Sequence, residues 1–276
     1  MTGRSPHRTR PAATAGRLVL GPGLGMYIGP LLDNDIHAHH AVQVSVALET
    51  TLRLQTGASA PWRKCSAALT APDRPHRMES RGVLAQVYVD PESTVGRRLR
   101  GRLNGKALEV IPWSVYTPIR QRLQACWRER RSDADWAQAI DEVLDHLVPD
   151  DAPPPRDRRV VRALDILHDA ASGGPRRLAT LAAEVSLSPS RFAHLFRACT
   201  GLPVRRYALW LRLIHAVRLI AGGTSLTTAA HEAAFADSAH LTRTFRRMFG
   251  MPPSVLRSIG TVLRSGAPPR EGGDCR

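Results

Sequence analysis

The sequence predicts a multidomain α+β chain: an N-terminal β-barrel with flanking helices, joined to a C-terminal all-α domain of two tandem helix-turn-helix units. Three observations carry this. Residues 18–112 hold short period-two stretches cut by Gly and Pro. Beyond the polar run Pro149-Asp150-Asp151-Ala152-Pro153-Pro154-Pro155, nearly every segment has helical spacing. A Phe-Arg-x3-Gly-x-Pro core occurs twice, at Phe196 and Phe245, so the second half contains a duplicated unit. The expected division is a basic arm at 1–17, a barrel domain at 18–148, a linker at 149–157, the helical domain at 158–262 and a tail at 263–276.

Composition narrows the partners. The 276 residues carry 39 Lys+Arg against 24 Asp+Glu, a formal net charge of +15, with 43% hydrophobic and 23% charged residues. These values exclude a wholly disordered chain, a collagen-like repeat and a multi-span membrane protein. Residues 1–155 have a net charge of +4 and residues 156–276 one of +11, so a polyanion is expected to meet the second half. Only Lys64 and Lys106 are lysines, a bias that an Arg-rich genome also produces. Cys65, Cys126, Cys199 and Cys275 form no CxxC pair, which suits reduced thiols in a cytoplasm. The Arg-rich start followed by apolar residues 18–32 superficially resembles a secretory leader. Gly21-Pro22-Gly23, Gly25 and Gly29-Pro30 would break a leader helix, so an arm followed by strands is expected.

In the first half, Val42–Leu48 and Leu84–Val89 alternate as strands. Asp133–Leu147 then places Trp136, Ile140, Val143, Leu144 and Leu147 on one helical stripe, a candidate dimer seam.

In the second half, Leu178–Val185 is a short support helix. Ser188-Pro189 then starts a second helix with an N-cap hydroxyl and a proline whose missing N–H costs nothing there. That helix buries Phe192, Leu195 and Phe196 and turns Ser190, Arg191, Ala193, His194 and Arg197 outward. The second unit repeats the plan. Thr227–Ala233 supports, Asp237 caps, and Ser238–Phe249 buries Leu241, Phe245 and Phe249 while His240, Thr242, Arg243, Arg246 and Arg247 point away. Val204–Ala221 joins the units as one helix rising roughly 27 Å, so the two presenting helices could enter successive major grooves of one duplex.

The run Leu187-Ser188-Pro189-Ser190-Arg191-Phe192-x2-Leu195-Phe196-Arg197-x3-Gly201-x-Pro203 resembles the AraC/XylS family of regulators. So does Phe235-Ala236-Asp237-Ser238-x-His240-Leu241-Thr242-Arg243-x-Phe245-Arg246-Arg247-x-Phe249-Gly250-x-Pro252. The resemblance covers about residues 160–258. It implies double-stranded DNA as partner, with contact positions at Ser190, Ala193 and His194 in the first unit and Ala239, His240, Thr242 and Arg243 in the second. Arg191, Arg197, Ser238 and Arg246 join the candidate DNA-binding set. It further implies a homodimer, a small-molecule effector, RNA polymerase as partner of an activator, and a sensor and dimerisation role for 18–148. No apolar stretch is long enough for a membrane helix, and no membrane partner and no enzymatic activity are expected. Where the family has Gly in each turn, this chain has Ser186 and Ala234, so a left-handed non-glycine residue or another turn shape is expected. Ala229 replaces a larger aliphatic residue.

His37-Ala38-His39-His40, Gln43 and Pro72-Asp73-Arg74-Pro75-His76 resemble fragments of a cupin pattern, which makes the expected barrel cupin-like. Two imidazoles spaced H-x-H share a face, and a third across the barrel could close a metal site. Gln43 stands where cupin metal sites prefer Glu. His37, His39, Gln43 and His76 are therefore candidate effector-binding residues, with no metal and no cofactor expected. The alternative is a metal-dependent cupin enzyme with an appended DNA-binding domain. No catalytic constellation has persuasive spacing, and Gly21-x-Gly23-x-Gly25 lacks the strand–helix context of a phosphate loop.

Overall fold

A computed structural model of the chain describes residues 16–31, 34–129, 131–153, 155–170 and 177–263. The expected arm and tail fall outside the described residues, apart from Gly16, Arg17 and Leu263.

The first half contains β1 (Arg17–Gly21), β2 (Leu24–Pro30), β3 (Val42–Ala47), β4 (Leu52–Gln55), β5 (Arg63–Cys65), β6 (Ala67–Thr70), β7 (Arg77–Ser80) and β8 (Val83–Val89). Then follow α1 (Thr94–Leu103), β9 (Leu108–Val110), α2 (Trp113–Arg128) and α3 (Asp133–Leu147). The second half holds α4 (Arg158–Asp169), α5 (Leu178–Glu184), α6 (Pro189–Thr200), α7 (Val204–Ala221), α8 (Leu226–Glu232) and α9 (Ser238–Phe249). A 3-10 turn, Pro253–Ser258, leads to β10 (Gly260–Leu263).

The strands do not form one closed barrel among the described residues. They make a seven-stranded sheet, ordered β10-β1-β2-β8-β3-β6-β9, and a three-stranded sheet, β5-β4-β7. No ladder joins β9 to β10, so the large sheet keeps two edges, and the isolated bridge His37–His76 lies outside both sheets. β3 runs between β8 and β6, antiparallel to both, and is buried along its whole length because both its faces are covered. The period-two pattern sorts its side chains. Val42, Val44 and Val46 join Val87, Val89 and the inner faces of α2 and α3 in one core. Ala47, Leu84 and Tyr88 instead belong to a second core that also holds Leu52, Leu54 and Met78 of the small sheet and runs into the helical half.

α3 begins at a capping box between Ser132 and Asp135, and Trp136, Ile140, Val143 and Leu147 are all buried. They pack within their own chain, beside α2, so the stripe is not free to act as the dimer seam expected of it. α1 lies inside the stretch read as β-rich. Its Gly96 is required because a Cβ there would stand 2.0 Å from the Asp90 carbonyl oxygen.

The helical half docks on the sheets. β10 adds in parallel to β1, with Leu18 opposite Thr261. Glu92, buried, pairs with Arg100 at 3.0 Å and with Arg156 from the segment before α4. Burial pushes the Glu92 carboxyl upward, and the two guanidiniums pull against that. Arg218 Nη2 donates to the Gly21 carbonyl at 2.8 Å, and the Asp35 N–H donates to the Gly250 carbonyl at 3.0 Å.

Candidate nucleic-acid interface and the cavity behind it

α6 and α9 are built alike. Ser188 caps α6 through its hydroxyl, which accepts from the Arg191 N–H, and Pro189 occupies the first turn. Asp237 caps α9 and accepts from the His240 N–H at 2.6 Å. Each helix ends on a left-handed glycine, Gly201 at φ 82° and Gly250 at φ 70°, whose N–H bonds the carbonyl four residues back. The turns before them also match. Ser186 has φ 55° and Ala234 φ 56°, so each is a non-glycine residue held in the left-handed region. The bonds Leu187 N to Ala182 O (2.9 Å) and Phe235 N to Ala230 O (2.8 Å) close both turns identically.

Phe192, Phe196, Leu241 and Phe245 are buried, which turns the opposite faces outward. On α6, Ser190, Arg191, His194 and Arg197 are exposed and Ala193 is half-buried. On α9, Ala239, Arg243, Arg246 and Arg247 are exposed, while Ser238, His240 and Thr242 are half-buried. No carboxylate among the described residues pairs with Arg191, Arg197, Arg243, Arg246 or Arg247. Thr242 spends its hydroxyl on the Ser238 carbonyl at 2.8 Å, and the His240 ring rests edge-on against Phe235 at 5.2 Å. The result is two capped helices with unpaired cations on their outer faces, suited to phosphates and base edges.

The other candidate set also comes together. His37 and His76 face each other across the bridge, with backbone bonds of 3.0 and 2.8 Å, and His39 follows two residues later. The three rings lie 4.5 to 5.7 Å apart. Gln43 Oε1 stands 2.8 Å from His39 Nε2 and 3.3 Å from His76 Nε2. Burial holds both imidazoles below the usual histidine range, His76 down to about 4, and the neighbouring rings add to the effect. His40 leaves the group: its Nδ1 meets Asp73 at 2.7 Å and its ring packs on Tyr207.

A separate cavity of about 290 Å³ lies between the halves. Leu18, Leu20, Tyr27 and Tyr88 line it from the sheet, and Trp210, Ile214, Phe245 and Phe249 line it from α7 and α9. Its polar lining includes Gln86, His215 and Arg218, but none of His37, His39, Gln43 or His76. Burial raises the Tyr27 phenol to about 12, and its hydroxyl donates to the Pro30 carbonyl at 2.6 Å.

Residues 181–259 match a helix-turn-helix domain family. The arabinose operon regulatory protein of Escherichia coli K12 is 31% identical over 106 residues, 38% of this chain and 36% of that protein. Its Salmonella typhimurium LT2 counterpart is also 31% identical, over 38% of each chain. The chain thus matches little more than a third of the length of these curated relatives. The helical half is thus similar to the helix-turn-helix part of these AraC-type regulators. Over most of its length the chain also shares a fold with ToxT of Vibrio cholerae. The apo structure of a ToxT point variant superposes with a TM-score of 0.55 at 12% identity, covering 84% of this chain and 96% of that one. A ToxT structure described as bound to an unsaturated fatty acid gives a TM-score of 0.54 at 11% identity, covering 91% and 98%.

The motif residues lie on the faces of α6 and α9 opposite their buried phenylalanines, some exposed and some half-buried. The cavity residues become neighbours only when the halves dock, so their grouping leaves little local trace in the sequence. α7 carries one signal. Leu213 and Ile220 lie off the Tyr207–Leu211–Ile214–Val217 stripe, yet both are buried. A helix apolar on more than one side must be covered on more than one side.

Proposed function

We propose that this chain is a sequence-specific, double-stranded-DNA-binding transcriptional regulator. α6 and α9 read adjacent major grooves, and a small amphipathic molecule controls them from the cavity between the halves. The observation that carries the reading is the repeated construction of α6 and α9, each capped and each with an unpaired arginine face. Ser190, Ala193, His194, Ala239, His240, Thr242 and Arg243 are the base-facing set. Arg191, Arg197, Ser238 and Arg246 anchor phosphates. In this reading residues 18–148 are an opened, cupin-like sensor domain, 149–157 a linker and 158–262 the DNA-binding domain. The working form is a cytoplasmic homodimer that contacts RNA polymerase if it activates.

The neighbouring fold described as fatty-acid-bound supports an effector in the cavity, as does a lining that combines Tyr27, Tyr88, Trp210 and Phe249 with His215 and Arg218. Because β1, β2 and β8 contribute one wall and α7 and α9 the other, a ligand with different affinity for open and closed arrangements shifts the DNA-competent population. Arg243→Ala tests the recognition surface. Measured by fluorescence anisotropy, it should weaken binding to the cognate site by about 1–3 kcal/mol and spare random DNA. An equal loss on both would make Arg243 a phosphate contact and remove it from the base-facing set.

A further inference from the structure

We propose that His37, His39 and His76, together with Gln43, form a binding site for a first-row divalent metal ion, and that this site is coupled to the C-terminal end of α9. The site stands apart from the DNA-binding reading; the coupling rests on it.

The backbone builds the site. His37 and His76 exchange both N–H···O bonds across an antiparallel bridge, so their side chains leave on the same side. One nitrogen from each of His37, His39 and His76 falls within 4.8 Å of the other two. Two of the rings are oriented by backbone carbonyls. His37 Nδ1 lies 2.8 Å from the Asp35 oxygen and His76 Nδ1 lies 2.8 Å from the Arg74 oxygen. A carbonyl only accepts, so each Nδ1 carries the proton and each Nε2 keeps its lone pair, the arrangement that metal-ligating histidines show.

Gln43 completes the donor set. Its Nε2 donates to Ser45 Oγ at 2.9 Å, which turns Oε1 toward His39 and His76. At His76 this sets Oε1 3.3 Å from an imidazole lone pair, a contact that a cation between them relieves, as would a turned Gln43 amide. Three imidazoles and an amide oxygen suit zinc, nickel or cobalt(II). Ligands around such an ion lie roughly 3.4 Å apart, so the cluster must contract on binding. The half-buried His37 is the side chain with room to move.

Asp35 links the site to α9. Its carbonyl oxygen orients His37, and its N–H donates to the Gly250 carbonyl that closes the helix. The Phe249 ring lies 5.9 Å from that of His39. A contraction that pulls His37 inward therefore acts on the backbone residue holding the end of the second recognition helix.

The test uses the full chain, stripped with a chelator and titrated with cobalt(II), then zinc. The expected result is one cobalt(II) per chain with a visible ligand-field spectrum. His37→Ala and His76→Gln should each weaken binding at least 10-fold, about the smallest loss expected for a lost ligand. His146→Ala, a change at an exposed histidine on α3, should leave it intact. His37→Ala lies outside the core, so an unchanged circular dichroism spectrum separates ligand loss from misfolding. A cobalt(II) spectrum that survives His37→Ala, or no binding below millimolar ion, overturns the site. In a second arm, zinc should change DNA affinity at least threefold in the parent chain and not in His37→Ala. Equal affinity with and without zinc overturns the coupling. Failure to bind any DNA overturns the regulator reading, while the cobalt arm still decides the site.

Discussion

Replacing Ala234 by glycine should make the protein more stable, although glycine normally weakens a chain. Ala234 sits at φ 56°, and its methyl makes no hydrogen bond that the change would lose. Holding a non-glycine residue in that region costs about 1–2 kcal/mol, because Cβ crowds the following carbonyl. Glycine removes that cost and adds about 0.4–1 kcal/mol of unfolded-state entropy, leaving a net gain of about 0.5–1 kcal/mol. Thermal unfolding should register this as a rise of about 2 °C or somewhat more. Ser186→Gly, at φ 55° in the matching turn, should behave the same way, and the double variant should add the two gains. An unchanged or lowered Tm for Ala234→Gly would show that the turn does not hold a strained residue, and the parallel between the two units would lose its geometric basis.

Other substitutions should move in the opposite direction. Gly250→Ala places a Cβ 2.5 Å from the Asp35 oxygen at a left-handed position, so it should lower Tm and make the linker region easier to proteolyse as the halves separate. Asp237→Ala removes the α9 cap and should cost about 1 kcal/mol in urea unfolding, with a matching loss of DNA affinity. Glu92→Ala leaves Arg156 buried without its partner, and should destabilise by about 3–5 kcal/mol, read from the urea midpoint. Binding to DNA should weaken steeply between low and physiological salt, as phosphate contacts by Arg191, Arg197 and Arg246 require.

Much of the helical half can be read from local chemistry. Ser188-Pro189 and Asp237 mark where α6 and α9 begin, Gly201 and Gly250 mark where they end, and the spacing of Tyr207, Leu211, Ile214 and Val217 delimits α7. α3 is equally legible, because Ser132 caps an unbroken stripe. α1 is not. Gly96 and Gly101 lower its helix propensity, and it is chosen by a close packing contact with Asp90 rather than by periodicity. α2 carries Pro118 inside its span, which argues against a helix on sequence grounds. β10 is four residues long and pairs with a strand at the other end of the chain, a relation with no local trace.

The same division holds for function. The outer faces of α6 and α9 follow from two short segments, so their residues could be named in advance. The H-x-H spacing of His37 and His39 is local, but the register that sets His76 opposite His37 is not. The histidine cluster is built within residues 37–76. The cavity needs both halves, and Phe249 of α9 is one of its walls.

Whether two recognition helices read one face of a duplex is decided by selecting the full chain against randomised duplex DNA. The expected result is an enriched motif of two short half-sites about one helical turn apart, lost in part when Arg243→Ala is selected in parallel. Inserting half a turn between the half-sites should abolish tight binding. Enrichment of no motif, or binding indifferent to the spacing, would contradict the two-helix reading.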